Sequence, residues 1–311
     1  MKEAFNKIIK EICEENFIKC TFLSDGWIIM LEKNNIARFI YGYTFDLNYQ
    51  ASGMIVEDKS GLYEVLKTKN IPTIEHNLVY NPNNKYDYAQ GNNTYEYVKQ
   101  YFLNNNNHIV IKPNKGTCGN YVYEVTNINK IDEVLNKVFK INTSISICPF
   151  YKIKNEYRAI MLNEEPKLFY KKIRPIVIGD GVKTIKELLV EFNYPYFNNK
   201  LESSAYNKVL SKGKEYHYDW RFNLSKGAIA KKVDDTVLEK KIIKIAKSVC
   251  KVLNIKLASV DIIETTNNEL LVMETNSGVM TENYLKLYPE EYKNIKEIYK
   301  EAVECLFKIS Q

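Results

Sequence analysis

Apolar positions recur along this chain with two different periods, which together predict a mixture of helices and strands. Spacings of three and four residues are typical of amphipathic helices, whereas short alternating or continuous apolar runs are typical of strands. The helical spacing covers residues 1–20, 58–69, 94–103, 129–139, 184–191, 234–253 and 289–308. Strand-like runs cover residues 26–31, 36–41, 73–80, 108–112, 145–151, 156–163, 166–173, 257–264 and 269–275. The chain is therefore predicted to fold as α+β, with many antiparallel pairs and no internal repeat.

Turn and capping residues support several of these boundaries. The polar turn at 33–35 separates the first two apolar runs, so these runs are expected to form a hairpin. Asp58 can cap the helix that follows it, and Pro72 lies just beyond the end of that helix. Polar residues dominate 81–93 and 192–225, which are expected to be irregular.

Composition places the chain among compact proteins without a membrane segment. Apolar residues make up 45% of its 311 residues, enough to bury a sizeable core. No run approaches the roughly 18 apolar residues that span a bilayer, and the first ten residues lack the apolar stretch of a signal peptide. A cytoplasmic protein with no membrane partner is therefore expected. The six cysteines form no CxxC pair, which argues against a zinc site.

The net charge of +6 raises the question of a nucleic-acid partner. Lysine and glutamate alternate within 293–304, which is the pattern of a solvated helix face. The chain contains no basic arm and no aromatic–basic RNA motif. Nucleic acid is therefore not expected to be a partner.

The first segment that can carry chemistry is a glycine loop after an apolar strand. The strand ends in Lys112, and Gly116 and Gly119 follow in the loop. Glycines let the backbone approach phosphate oxygens, and a lysine at a strand end adds a positive charge. The alternative is a glycine-containing hairpin with an ordinary surface lysine, and the segment alone does not exclude it.

The second segment carries oxygen ligands on two neighbouring strands. Asp261 interrupts one apolar strand, and Glu274 and Asn276 lie two residues apart on the next, so both point to one face. If the two strands pair as a hairpin, Asp261 meets Glu274 on that face. Two carboxylates and an amide oxygen suit Mg²⁺ with phosphate. The alternative is acidic residues that merely lie near a turn.

Two further segments supply cations. Arg158 follows Glu156 on one predicted strand, and Lys172 and Arg174 end the next strand. Arg221 precedes Asn223 and a Ser-Lys-Gly sequence. Convergent cations can bind polyphosphate, with bidentate geometry from arginine. Solvated strand faces and a simple loop are the alternatives.

The order of these four segments resembles that of the ATP-grasp superfamily, over roughly residues 55–285. The chain is similar to the ATP-grasp domains of cyanophycin synthetase and bifunctional glutathione synthetase. The motifs that carry the resemblance are Asp58-Lys59, Val110-Ile111-Lys112-Pro113, Gly116-Thr117-Cys118-Gly119, Glu156-Tyr157-Arg158, GDGVKTIKEL at 179–188, Asn223-Leu224-Ser225-Lys226-Gly227, Val260-Asp261 and Glu274-Thr275-Asn276. The resemblance implies two α+β subdomains that clasp ATP, at 58–150 and 151–311, after a short helix–hairpin region at 1–57.

The resemblance also implies roles for individual residues. Its nucleotide-binding set consists of Lys59, Lys112, the lid residues Lys115, Gly116, Thr117 and Gly119, the ribose-binding Glu156, and Asn223. The resemblance places three catalytic cations near the phosphates or the acceptor, and these are Arg158, Lys172 and Arg174. Its ligands of two Mg²⁺ ions, with Mn²⁺ as a substitute, are Asp261, Glu274 and Asn276.

Two positions depart from the family pattern. The adenine hinge, which often carries a glutamate pair, reads Ile-Cys-Pro-Phe at 147–150, so backbone groups are expected to read adenine. Ligases for D-alanine dipeptides place an arginine two residues before the first metal aspartate, whereas this chain has Ser259 there. Arg221 is the candidate for the missing catalytic cation.

The implied activity is that of an ADP-forming carboxylate–amine ligase that works through an acyl phosphate. Its expected substrates are an amino acid or short peptide and an amine. The alternatives are modification of a protein or ribosomal peptide, and a nucleotide-binding regulatory protein without chemistry. Only about 55 residues precede Asp58, a short stretch for an acceptor domain. The acceptor site is therefore expected to be incomplete or completed by a second subunit, and a homodimer is the hypothesis.

Overall fold

The structure is a computed structural model that describes residues 2–83, 94–116, 119–174, 176–191, 204–217 and 221–308. Within these ranges the chain forms a mixture of helices and largely antiparallel sheets, as expected. No helix in the described ranges is both long and apolar enough to cross a bilayer. The expectations for Thr117, for 84–93, for 192–203 and for 218–220 lie outside the described residues.

The N-terminal region is larger than the predicted helix and hairpin. It consists of α1 (Glu3–Glu15), β1 (Lys19–Leu23), β2 (Ile28–Lys33), β3 (Ile36–Tyr41), β4 (Thr44–Phe45) and α2 (Gln50–Glu57). The four strands form one antiparallel sheet in the order β1-β2-β3-β4. The hairpin prediction is confirmed, while β1 and α2 were not predicted.

The first helix ends earlier than the sequence suggested. Helix α1 stops at Glu15, and Phe17 adopts a positive φ of 53°, which a helix cannot contain. The Phe17 side chain is 91% exposed rather than part of the apolar stripe. The prediction of a helix over 1–20 was therefore wrong at its end, because the chain turns there to pair β1 with β2.

A second unit surrounds the glycine loop. It consists of α3 (Lys59–Thr68), β5 (Asn77–Tyr80), α4 (Tyr95–Asn104), β6 (Ile109–Pro113), β7 (Tyr123–Val125), α5 (Ile131–Phe139) and β8 (Ser144–Pro149). Its antiparallel sheet has the order β5-β8-β6-β7. Asp58 caps α3 by accepting from the backbone N–H of Gly61 at 2.8 Å, as predicted. The strand expected at 73–80 begins only at Asn77.

The largest sheet lies in the C-terminal half. The elements there are β9 (Ile153–Leu162), β10 (Glu165–Ile173), β11 (Ile176–Ile178), α6 (Ile185–Glu191), β12 (Glu215–His217), β13 (Ile229–Lys231), α7 (Thr236–Leu253), β14 (Leu257–Thr265), β15 (Leu270–Asn276), α8 (Glu282–Leu287) and α9 (Tyr292–Lys308). Five strands form one sheet in the order β13-β10-β9-β14-β15, and β11 pairs with β12. The helix expected at 289–308 begins as a helical turn at 289–291 and continues as α9, while α8 was not predicted.

The two faces of the five-stranded sheet bury different partners. Tyr157, Ala159 and Met161 of β9 pack with α3 and α7 on one face. Ile160 and Leu162 point to the other face and pack with α1, α9 and the N-terminal sheet. Because side chains alternate along a strand, Glu156 and Arg158 share the face of Ile160. One face of β9 is thus apolar at its C-terminal end and charged at its N-terminal end.

Candidate functional site

Strand pairing brings the predicted carboxylates together. Asp261 of β14 lies opposite Glu274 of β15, and on its other side it lies opposite Arg158 of β9. Directly opposite residues in antiparallel strands have neighbouring side chains on one face. The structure therefore confirms that the two strands pair and that Asp261 lies beside Glu274.

Asp261 is the centre of a buried charge cluster. Arg158 donates two hydrogen bonds to it, from Nε to Oδ1 at 2.7 Å and from Nη2 to Oδ2 at 2.6 Å. Lys172 Nζ lies 2.9 Å from Oδ2 and also donates to Glu156. Asp261, Glu156 and Lys172 are all buried. Four charged side chains, two of each sign, thus neutralise one another on three neighbouring strands.

The cluster sets the protonation of its members. Burial alone would raise the pKa of Asp261, but Arg158 and Lys172 outweigh it and hold that pKa below its usual range. Burial would lower the pKa values of Arg158 and Lys172, yet the Asp261 carboxylate raises both. The pKa of Glu156 is raised, mainly by burial and with help from Asp261. The aspartate is therefore held ionised and the two cations charged.

Glu274 and Asn276 lie beside this cluster in a more open position. Both are only partly buried, and Asn276 Nδ2 donates to Glu274 Oε1 at 3.2 Å. With Asp261 they supply two carboxylates and an amide, the hard oxygen donors that Mg²⁺ prefers. The described residues contain no group of three or more His, Cys, Asp or Glu side chains arranged around one metal position. The fit to Mg²⁺ rests on the type of donor, two carboxylates and an amide, and Glu274 is the more accessible of the two carboxylates.

Lys59 and Lys112 approach this face from the second unit. Lys59, the first residue of α3, donates from Nζ to the carbonyl oxygens of Gly116 at 3.0 Å and Asn114 at 3.4 Å. The pKa of Lys59 is lowered to about 8, mainly by burial and with a contribution from Lys112, against the opposing effect of Glu274. Lys112 stands opposite Ser146 in the sheet. The two lysines and Glu274 are thus close enough to influence one another across the two sheets.

His76 belongs to the same neighbourhood, although no motif of the sequence includes it. It is 4% exposed, and its Nδ1 lies 2.7 Å from Ser146 Oγ. Within the described structure its Nε2 makes no hydrogen bond of normal geometry. Burial, Lys112 and Lys59 hold its pKa well below the usual value, against a smaller effect of the Met273 backbone. The imidazole is therefore neutral, and nothing in its local sequence distinguishes it from a core histidine.

The glycine loop meets the segment that contains Arg221 and Asn223. Arg221 Nη1 donates to the Gly119 carbonyl at 2.8 Å, and Gly119 has a positive φ of 62°. A Cβ atom on Gly119 would lie 3.7 Å from Asn223 Nδ2. Lys115 and Gly116 begin this loop and are exposed, whereas Thr117 lies outside the described residues. The structure thus brings together two motifs that are about 100 residues apart in the sequence.

The remaining predicted residues have local partners. Asn223 Oδ1 accepts from the backbone N–H of Ser225 at 2.9 Å and from its hydroxyl at 2.8 Å, so it caps a short helical turn. The Arg174 guanidinium stacks over the Phe222 ring at 5.3 Å. This contact joins Arg174 to the Arg221 segment rather than to the cluster around Asp261.

One protein-family model matches the C-terminal part of the chain. The model of the RimK-like ATP-grasp domain covers residues 206–291, which include Asp261, Glu274 and Asn276. No curated protein matches the sequence.

Three solved structures show the likeness of the fold. The bifunctional glutathione synthetase of Pasteurella multocida is 15% identical, with a TM-score of 0.51 over 92% of this chain and 43% of that one. The D-alanine–D-alanine ligase of Bacillus anthracis is 14% identical, with a TM-score of 0.52 over 84% of this chain and 71% of that one. Its complex with ATP, also 14% identical, gives a TM-score of 0.51 over 85% and 68%. The chain therefore has the expected α+β ATP-grasp fold, while it spans less than half the length of the Pasteurella enzyme.

Proposed function

We propose that this chain, which has the ATP-grasp fold, is an ADP-forming ligase that joins a carboxylate to an amine through an acyl phosphate. The observation that carries the proposal is the cross-strand pair of Asp261 and Glu274 on the face that Lys59 and Lys112 approach. Oxygen ligands on one side and lysines on the other suit a metal–polyphosphate complex. We propose an amino acid or short peptide as the carboxylate substrate.

The proposed reaction has two steps. The substrate carboxylate attacks the γ-phosphate of ATP, which forms an acyl phosphate and releases ADP. The amine then attacks the acyl carbon and releases inorganic phosphate. Positioning and charge neutralisation account for most of the catalysis in such phosphoryl transfers. Lys59 and Lys112 would bind the phosphates of the nucleotide, and the loop that begins at Lys115 would exclude water from the intermediate.

Asp261, Glu274 and Asn276 would hold Mg²⁺, or Mn²⁺ in its place, and the metal would neutralise charge on the transferred phosphoryl group. Arg158 and Lys172 would keep Asp261 ionised and oriented toward that metal. Arg221, which is held against the glycine loop, would supply a cation near the phosphates. Contacts of Glu156 with ribose and of Asn223 with the nucleotide remain predictions, since both side chains have protein partners here.

The test is ADP release with pooled amino acids and Mg²⁺, compared between the unmodified chain and two variants. Glu274→Ala is expected to abolish ADP release while the unfolding temperature stays close to that of the unmodified chain. Glu269→Ala, on the same hairpin but exposed, is the matched control and is expected to keep full turnover. Full turnover in Glu274→Ala would refute the metal assignment. Nucleotide binding without ADP release on any pool would favour a regulatory protein instead.

We also propose that the chain is a homodimer and that its two nucleotide-binding units are 58–150 and 151–311. Leu23, Phe39 and Tyr41 lie on one face of the N-terminal sheet and are 42%, 46% and 63% exposed, which supports contact between copies. Light scattering at micromolar concentration tests the dimer, and a monomer mass would reject it. The division into two units predicts that a protease cuts the folded chain near residue 150, and limited proteolysis tests this.

A further inference from the structure

Three aromatic rings surround a lysine ammonium beside the N-terminal sheet. Lys2 Nζ lies 4.9 Å from the ring centroid of Phe5, 5.4 Å from that of Trp27 and 5.2 Å from that of Tyr43. It also donates to the Gly26 carbonyl at 3.0 Å, and Lys2 is only 8% exposed. We call Phe5, Trp27 and Tyr43 the aromatic cage. Rings arranged in this way recognise ammonium groups through their electron-rich faces.

A buried carboxylate completes the cage. Glu282 is 8% exposed, and its Oε1 accepts from the Tyr43 hydroxyl at 2.7 Å. Its Oε2 is buried without a hydrogen-bonding partner in the described part of the chain. Lys2 is near enough to interact electrostatically with Glu282 but forms no salt bridge with it within 4.0 Å. The resident ammonium therefore leaves one carboxylate oxygen unsatisfied, which is costly in a buried position.

The cage adjoins the loop that follows the proposed metal ligands. Thr44 pairs with Gly278, two residues after Asn276, and the backbone N–H of Val279 donates to the Tyr43 carbonyl at 3.3 Å. Trp27 is 46% exposed, so one wall of the cage reaches solvent. A substrate that extends from the metal site along this loop would arrive at the cage.

We propose that the aromatic cage and Glu282 bind a primary alkylammonium group of a substrate, and that Lys2 occupies this site when the substrate is absent. A ligand ammonium between the rings and Glu282 Oε2 would satisfy the unpaired oxygen. The Lys2 side chain need only rotate about its own bonds to leave. An amine held protonated in this way has no lone pair for attack on an acyl phosphate, so the caged group is a recognition handle and not the nucleophile. Only the identification of the ligand as a substrate rests on the proposed ligase function.

The experiment measures binding of n-butylammonium in the absence of nucleotide. Trp27 fluorescence reports occupancy, in a Trp220→Phe background so that it is the sole tryptophan. Lys2→Met empties the cage of its resident charge and is expected to tighten butylammonium binding about tenfold or more. Adding Glu282→Gln should remove that gain. Neutral n-butanol should bind no better to Lys2→Met than to the unmodified protein.

Lys7→Met is the matched control, because Lys7 lies on α1 close to Lys2 in sequence but its ammonium lies over the Tyr292 ring, at 5.7 Å, and not over a ring of the cage. It should leave butylammonium binding unchanged. The proposal is overturned if Lys2→Met binds butylammonium no more tightly than the unmodified protein, or if butanol binds equally well. If butylammonium binds but no assay detects ADP release, the proposal for the aromatic cage would stand and the proposed ligase function would be rejected.

A second measurement uses the unmodified protein and does not depend on the folding of Lys2→Met. Acetylation by acetic anhydride, followed by peptide mass spectrometry, compares Lys2 with exposed Lys7. Lys2 is expected to react at least about tenfold more slowly, and butylammonium should accelerate it by displacing the side chain. Equal rates for the two lysines, or no effect of butylammonium on Lys2, would contradict exchange at the cage.

Discussion

Two groups of cations lie near the pair of Asp261 and Glu274, and they differ in their partners. Arg158 and Lys172 on the five-stranded sheet are bound to Asp261, and that carboxylate raises their pKa values against the effect of burial. Among the described residues, Lys59 of the other unit has the carbonyl oxygens of Gly116 and Asn114 as its hydrogen-bond acceptors, and its pKa is lowered to about 8, mainly by burial. The paired cations orient the carboxylate, whereas Lys59 lacks a strong anionic partner and suits an anion from outside.

The comparison separates stability from binding. Removing one member of a buried, hydrogen-bonded charge cluster leaves its partners unpaired and costs several kcal/mol. The burial of a lysine that binds no carboxylate is itself unfavourable. Removing such a lysine should therefore not lower the free energy of unfolding. Substitutions in the first group should therefore affect folding, and those in the second should affect nucleotide binding.

The largest effect is expected for Asp261→Asn. The amide would leave Arg158 and Lys172 buried with insufficient negative charge, and the free energy of unfolding should fall by about 3–5 kcal/mol. Urea unfolding followed by circular dichroism measures the loss. Glu165→Gln breaks an exposed pair with Lys247 and serves as the control, with an expected loss of less than about 1 kcal/mol. If Asp261→Asn lowered the free energy of unfolding no more than Glu165→Gln does, the buried charge cluster would not be a major contributor to stability.

Lys59→Met should weaken nucleotide binding without lowering stability. A hydrogen bond between charged groups contributes about 1.5–3 kcal/mol, so Kd for ADP with Mg²⁺ should rise by ten- to a hundredfold. Isothermal titration calorimetry measures Kd, and a urea titration checks the fold. Lys69→Met, at the exposed end of the same helix, is the matched control. An unchanged Kd in Lys59→Met would place the phosphates elsewhere.

Nucleotide binding should weaken as pH rises through about 8. Above this value Lys59 is neutral in the free protein and must take up a proton to pair with phosphate, so affinity should fall by up to about tenfold per pH unit. Lys59→Arg remains charged and should show a flat profile between pH 7 and 9. A profile that does not differ between the two proteins would assign the titration to another group.

The same pKa shift predicts an opposite trend for stability. The folded pKa of Lys59, about 8, is below its ordinary value of 10.5. Between these values the unfolded chain binds the proton and the folded chain does not, so stability rises with pH. The destabilising contribution is fully present below pH 8 and fades toward pH 10.5. Lys59→Met should lose this part of the pH dependence in urea titrations.

His76→Asn, which keeps a polar atom near the Nδ1 position and removes the Nε2 position, should have the smallest effect. If the unpaired Nε2 donates to the bound nucleotide, its loss costs about 1 kcal/mol, or roughly fivefold in KM for ATP. The rate constant kcat should remain within about twofold, because the proposed role of His76 is to bind the nucleotide and not to contact the atoms that react. A drop in kcat at unchanged KM would instead assign His76 to the chemistry.

The sequence pattern predicted the structure correctly where a single helix or a hairpin forms from residues close in the chain. The capped start of α3 at Asp58 and the long amphipathic α7 follow from cap residues and apolar spacing. The pairing of Asp261 with Glu274 follows from two strands close in sequence. Pattern failed at Phe17, whose apolar character extended the predicted helix over the start of β1. It also failed at α2 and α8, which pack against the distant strands β15 and β13.

By itself, the sequence determined the order of the motifs, the α+β character and the face shared by Glu274 and Asn276, since these depend on residue type and on a period of two. Tertiary structure decided which charges meet. It placed Arg158, about 100 residues earlier, on Asp261 and brought His76 beside Lys59 and Lys112. It also enclosed Lys2 between three rings beside a glutamate 280 residues away. A periodic pattern indicates which side of a helix or strand is buried. The residues that cover that side are set by long-range packing, and the pKa values and ion pairs of the site depend on those residues.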